Sequence, residues 1–166
     1  VTAKASQSQD MPPEVQDLLH KARRAARSGD HRQVRRLLGR ACELRPADAA
    51  VHKAAAGIYM QAKDFDQAAE AFQRLWQDNP ADAGLSNSLG VALLMAGWRE
   101  AAHQHLSTAV RLEPESPVFR ANMGKCLMME GEWSQALEQL EAALRRQAAP
   151  AVQELADHCR QQLAGA

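Results

Sequence analysis

Three cysteines and six histidines have the widest chemical reach in this chain of 166 residues. Cys42, Cys126 and Cys159 are an odd number at wide spacings with no CxxC pair. Neither a disulfide framework nor a thiolate zinc centre is indicated, and buried thiols are the expectation. His103 and His105 stand two apart, which on a helix sends their side chains in different directions, and His158 merely adjoins Cys159. The sequence holds no HExxH, no GxSxG and no phosphate-cradling glycine loop. A Cys–His pair assembled from distant parts of the chain stays open, but no local motif supports catalysis. The expectation is therefore a non-enzyme with no cofactor and no metal.

Charge carries more information. Lys+Arg and Asp+Glu number 20 each, for a formal net charge of zero. The balance is uneven along the chain. Residues 14–46 hold nine bases against four acids, a net of +5, and residues 47–166 hold ten against fifteen, a net of −5. Arg23, Arg24, Arg27, Arg32, Arg35 and Arg36 form the densest basic patch. Such a patch suits an acidic partner, an anionic surface or the acidic end of a second copy. No aromatic accompanies it to stack on bases, which argues against nucleic acid.

The elements that position these groups are helical. Ala occurs 33 times, while Val, Ile and Thr together occur 11 times, so helix formers dominate. No apolar run approaches the roughly 18 to 20 residues of a membrane span, so no span is expected and the chain is read as soluble. Arg exceeds Lys by 15 to 5. That bias hints at a GC-rich bacterial genome, with cytoplasm and periplasm both open.

Pro46, Pro80 and Pro114 recur every 34 residues, in "ACELRPADA", "LWQDNPADA" and "AVRLEPESP". Counting back gives four repeats, 15–48, 49–82, 83–116 and 117–150, after a flexible leader 1–14 and before a capping helix 151–166. Within each repeat the first helix sets positions 4, 7, 8 and 11 on one face, as in Ser86, Leu89, Gly90 and Leu93. In the second helix, positions 20, 24 and 27 repeat small, large, small, with Leu75 the one large residue at 27: Val34, Leu38, Ala41; Ala68, Phe72, Leu75; Ala102, Leu106, Ala109; Ala136, Leu140, Ala143. A small residue lets two backbones approach and the bulky one fills the adjacent gap. Turn phrases at Ser28–Asp30, Lys63–Phe65, Ala96–Trp98 and Gly131–Trp133 separate the two helices, and Trp76, Trp98 and Trp133 are expected to be packing aromatics.

The period together with Leu89, Gly90, Leu93, Ala102, Leu106, Ala109 and Pro114 resembles the tetratricopeptide repeat (TPR) pattern over about 136 residues. The resemblance departs from the family at Lys21, Ala25 and Ala148. It implies an all-α, right-handed superhelical solenoid of helix-turn-helix units with a C-terminal capping helix. It also implies that a partner peptide or helix binds in the concave groove, lined by positions 2, 5, 9 and 12 of each first helix. On and beside that stripe the candidate partner-binding residues are Lys53, Met60, Asn87, Leu94, Asn122, Lys125 and Met128. Asn87 and Asn122 suit a peptide backbone, Met60, Leu94 and Met128 suit apolar side chains, and Lys53 or Lys125 suits an acid.

Some TPR domains clamp a C-terminal carboxylate, and that arrangement does not transfer. Starting at the first repeat it would require Leu19, Arg23, Ala54, Gly84 and Ser88; starting at the second, only Lys53 fits, followed by Gly57, Ser88, Val118 and Asn122. The reading is a non-catalytic scaffold or adaptor for a protein or peptide partner of apolar and acidic character. The setting it suggests is assembly of a bacterial secretion, pilus or envelope complex, with self-association as a further option. The alternative is a substrate-recruiting or regulatory domain of a larger transferase or hydroxylase.

Overall fold

The structure is a computed structural model and describes residues 11–165. Among them are nine α-helices and no strand: α1 (Pro13–Arg27), α2 (His31–Leu44), α3 (Ala49–Gln61), α4 (Phe65–Asp78), α5 (Ala83–Ala96), α6 (Arg99–Leu112), α7 (Pro117–Glu130), α8 (Trp133–Arg146) and α9 (Pro150–Ala164). Of the expected leader, residues 1–10 lie outside the described residues, and Pro13 and Glu14 already belong to α1.

Local chemistry sets the helix ends. Asp30, Asp48, Asp82 and Ser116 are N-caps whose side-chain oxygens accept from Gln33, Ala50, Leu85 and Phe119 backbone N–H groups, satisfying donors that the first turn leaves orphaned. Pro13, Pro117 and Pro150 occupy first-turn positions, where a missing N–H costs nothing. The four turns within the repeats place one residue each in the left-handed region: Gly29 (φ 73°), Lys63 (φ 58°), Gly97 (φ 91°) and Gly131 (φ 82°). Lys63 holds there without the freedom of glycine. Pro46, Pro80 and Pro114 each follow a second helix by two residues.

The chain divides into two compact units, one ending at Leu75 and the other beginning at Trp76. In the amino-terminal unit α1 packs on α2, and both touch α3. Its core includes Val15, Leu19 and Ala22 on α1, Val34, Leu38 and Ala41 on α2, and Val51, Ala55 and Ile58 on α3, all buried. The carboxy-terminal unit stacks α5 on α6, α6 on α7, α7 on α8 and α8 on α9. Leu89, Leu106, Leu127 and Leu140 run through it, joined by Ala102, Ala136, Ala156 and Cys159. Each fully buried leucine contributes about 1.5–3 kcal/mol from the area it removes from water.

Two close approaches show why small residues recur at position 8. A Cβ on Gly90 would fall 2.7 Å from Leu106 Cγ, and one on Gly124 would fall 2.7 Å from Leu140 Cγ. Positions 20, 24 and 27 are buried in all four second helices. Trp76 is half-buried; its indole N–H donates to Ser86 Oγ at 3.1 Å, and its ring meets His105 edge-on at 4.9 Å. Trp133 meets His158 in the same manner at 5.7 Å. Trp98, the residue before α6, sits at the turn with 61% of its surface exposed.

Candidate functional site

In the carboxy-terminal unit the candidate groove residues stand on α5 and α7. Asn122 Nδ2 donates to Asn87 Oδ1 at 2.9 Å, linking the first helices of successive repeats. Both side chains are half-buried, and the bond leaves the Asn87 NH2 and the Asn122 carbonyl oxygen for other partners. Lys125 is exposed one turn farther along α7, and Met128 is half-buried against the core. Leu94 is only 6% exposed and belongs to the core itself, so it forms the floor beneath the stripe and is not offered to a ligand. In the amino-terminal unit, Lys53 is exposed and Met60 half-buried, seven residues apart on α3.

The six arginines of the basic patch divide by environment. Arg23, Arg24 and Arg27 lie exposed on α1, and Arg32, Arg35 and Arg36 lie exposed on α2. Arg35 is engaged internally: Nε donates to Asp64 Oδ2 at 2.6 Å and an Nη donates to Asp64 Oδ1 at 2.9 Å. The Asp64 hydrogen bonds and charge raise the Arg35 pKa further above its ordinary value. The Asp64 side chain is 5% exposed, so this bidentate contact neutralises a nearly buried carboxylate. Arg24 and Arg36, with Lys21, Ser28 and Gln33, line an open cleft of about 610 Å³ between α1 and α2. Lys21 shares its charge with Asp17, 2.7 Å away and equally exposed.

A third constellation joins α6 to α7. His103 Nδ1 lies 2.9 and 3.1 Å from the two carboxylate oxygens of Glu130, and Cys126 Sγ donates to Glu130 Oε1 at 3.5 Å. Burial, reinforced by the Glu130 charge, pushes the Cys126 thiol up to about 12, so the free thiol keeps its proton and is no nucleophile at neutral pH. Burial also raises Cys42 and Cys159. Burial lowers the pKa of His105.

Residue spacing directed attention to His103 with His105, whereas the structure pairs His103 with residues 23 and 27 positions later. The repeat register holds the missing signal: position 21 of one repeat meets positions 10 and 14 of the next. The same offset logic underlies Asn87 and Asn122, which sit one residue out of equivalence.

Among the described residues, no helix is long and apolar enough to cross a membrane. A family model described as tetratricopeptide repeat matches residues 25–90 and 93–159. Among solved structures, MamA from strain MSR-1 matches with a TM-score of 0.68 at 17% identity, covering 92% of this chain and 88% of that one. MamA from Desulfovibrio magneticus RS-1 matches with a TM-score of 0.67 at 19% identity, covering 80% and 75%. A thermophilic TPR protein of Thermus thermophilus matches with a TM-score of 0.64 at 21% identity, covering 90% and 82%. At these identities the likeness is one of fold. No curated protein matches the sequence significantly.

Proposed function

Because the chain belongs to the tetratricopeptide repeat family, whose members bind protein partners, we propose that it is a non-catalytic scaffold holding a partner peptide or helix against the first helices of its repeats. The observation that carries this reading is the Asn87–Asn122 amide pair, half-buried on two successive first helices with the exposed Lys125 beside it. A paired amide with one donor group and one acceptor left over suits the backbone of an extended segment, which presents both. Lys125 favours an acidic side chain on that segment, and Met128 offers a polarisable apolar surface beside it. Lys53 and Met60 offer the same pairing of charge and thioether on α3. The setting we favour is assembly of a bacterial secretion, pilus or envelope complex.

The test begins with the chain as bait, identification of the captured protein, and its binding measured by calorimetry. Lys125→Glu with Met128→Glu is expected to weaken that binding at least about tenfold through like-charge repulsion and lost apolar contact. Undiminished affinity in this variant would place the partner on another surface.

A further inference from the structure

The repeats supply an internal control for the His103–Cys126–Glu130 constellation. One repeat earlier, the corresponding positions are Ala69, Ala92 and Ala96. The repeat pattern therefore requires neither an imidazole, a thiol nor a carboxylate at these positions. At the step from α6 to α7 all three appear together, and a His103 ring nitrogen, the Cys126 Sγ and a Glu130 carboxylate oxygen lie within 4.8 Å of one another.

The spacing is close to what a tetrahedral ion requires. With metal–sulfur bonds of about 2.3 Å and metal–nitrogen or metal–oxygen bonds of about 2.0–2.1 Å, the S···O and S···N edges are roughly 3.5 Å and the N···O edge roughly 3.3 Å. The Cys126 Sγ to Glu130 Oε1 distance is 3.5 Å, and His103 Nδ1 stands 2.9–3.1 Å from the Glu130 oxygens. Insertion of an ion needs the imidazole to retreat from the carboxylate by a few tenths of an ångström and to bring a ring nitrogen, no more than 4.8 Å from Sγ, to roughly 3.5 Å from it, an adjustment open to a ring that is 39% exposed.

We propose that His103, Cys126 and Glu130 form a binding site for one borderline divalent cation of the zinc type, with the fourth position left to water. One thiolate, one imidazole and one carboxylate select such an ion over magnesium or calcium, which prefer oxygen alone. On binding, the Cys126 S–H bond breaks, an S–metal bond forms, and the proton is released to solvent. The ion enters from the outer side, because the His103 and Glu130 side chains are 39% and 22% exposed while Cys126 is fully buried. Once bound, it would staple α6 to α7 across the junction of the third and fourth repeats, beyond what helix packing alone provides.

Cobalt(II) titration of the full chain tests this directly. One equivalent is expected to produce thiolate-to-cobalt charge transfer in the near ultraviolet together with tetrahedral ligand-field bands, and one equivalent of zinc should remove both. Cys126→Ser should abolish the charge transfer, Cys42→Ser should leave it intact, and His103→Gln should weaken binding at least about tenfold. Should Cys126→Ser lose its helicity, the His103→Gln comparison decides, since that side chain is two-fifths exposed. Absence of the thiolate band at ten equivalents, its survival in folded Cys126→Ser, or unchanged affinity in His103→Gln would each overturn the site.

Discussion

Asn122 donates a 2.9 Å hydrogen bond to Asn87 across consecutive repeats, so that one half of each amide is spent on the other and the remaining half is available. Removing both members at once leaves no orphaned amide behind, which separates a binding role from a structural one. Asn87→Ala combined with Asn122→Ala is expected to reduce partner affinity about tenfold, the magnitude of one to two lost hydrogen bonds. Helicity and the melting temperature should stay near wild type. Equal affinity in wild type and double variant, measured by calorimetry, would remove the pair from the binding surface.

The contact of Gly124 with Leu140 gives a sharper structural prediction. A methyl group at Gly90 or Gly124 would meet the branch of a fully buried leucine, with the Leu106 backbone nitrogen at 3.1 Å and the Ala136 carbonyl oxygen at 3.3 Å closing off escape. Gly90→Ala and Gly124→Ala should each destabilise by about 1–3 kcal/mol through overpacking. Gly39, inside α2, should behave oppositely, because an added Cβ there would meet nothing within 4 Å. Gly39→Ala is expected to stabilise by about 0.5–1 kcal/mol by restricting the unfolded chain. Urea midpoints that shift in the same direction at Gly39 and Gly124 would refute the argument.

Those glycines mark what a sequence can disclose about this fold. In the third and fourth repeats position 8 tolerates only small residues because the second helix delivers a leucine onto it, and a strict 34-residue period makes that visible from residue type alone. Burial at position 12 is not visible in the same way. Leu94 is covered while Met60 and Met128, its counterparts, stay half-buried, because coverage depends on which neighbouring side chains reach over the stripe. The candidate site was legible only as a list of positions. Its pairings, Asn87 with Asn122 and His103 with Glu130, depend on rotamers chosen after the helices dock. Likewise the basic patch reads as six equivalent arginines until Asp64, 29 residues away, claims Arg35.

That claim divides the basic patch into a structural and an available part. Arg35→Ala would leave the nearly buried Asp64 carboxylate without its bidentate partner, so the melting temperature should fall. Arg36→Ala, on the wall of the open cleft, should leave it nearly unchanged. For association with an acidic partner the order reverses: Arg24→Ala with Arg36→Ala weakens it more than Arg35→Ala does. That association should also weaken as salt rises from about 50 to about 500 mM, because exposed charges are screened within about 10 Å at 0.1 M. Thermal scans and salt-dependent affinities on the same variants check both orders.

His105 makes the stability of the carboxy-terminal unit depend on pH. Its ring lies edge-on to Trp76 at 4.9 Å and 87°, and burial holds its pKa below the ordinary 6.5. The folded chain therefore resists a proton that the unfolded chain accepts. The contribution of neutral His105 is fully present above about pH 6.5 and is lost as pH falls from there through the lowered folded value, below which no further loss accrues. His105→Gln, which cannot charge, should show a smaller drop in melting temperature between about pH 7.5 and about pH 5 than the wild type. Comparing the two chains cancels the contributions of all other groups to the pH dependence. An identical drop in both would mean that His105 takes up its proton equally well in the folded and unfolded chain, against the burial seen at Trp76.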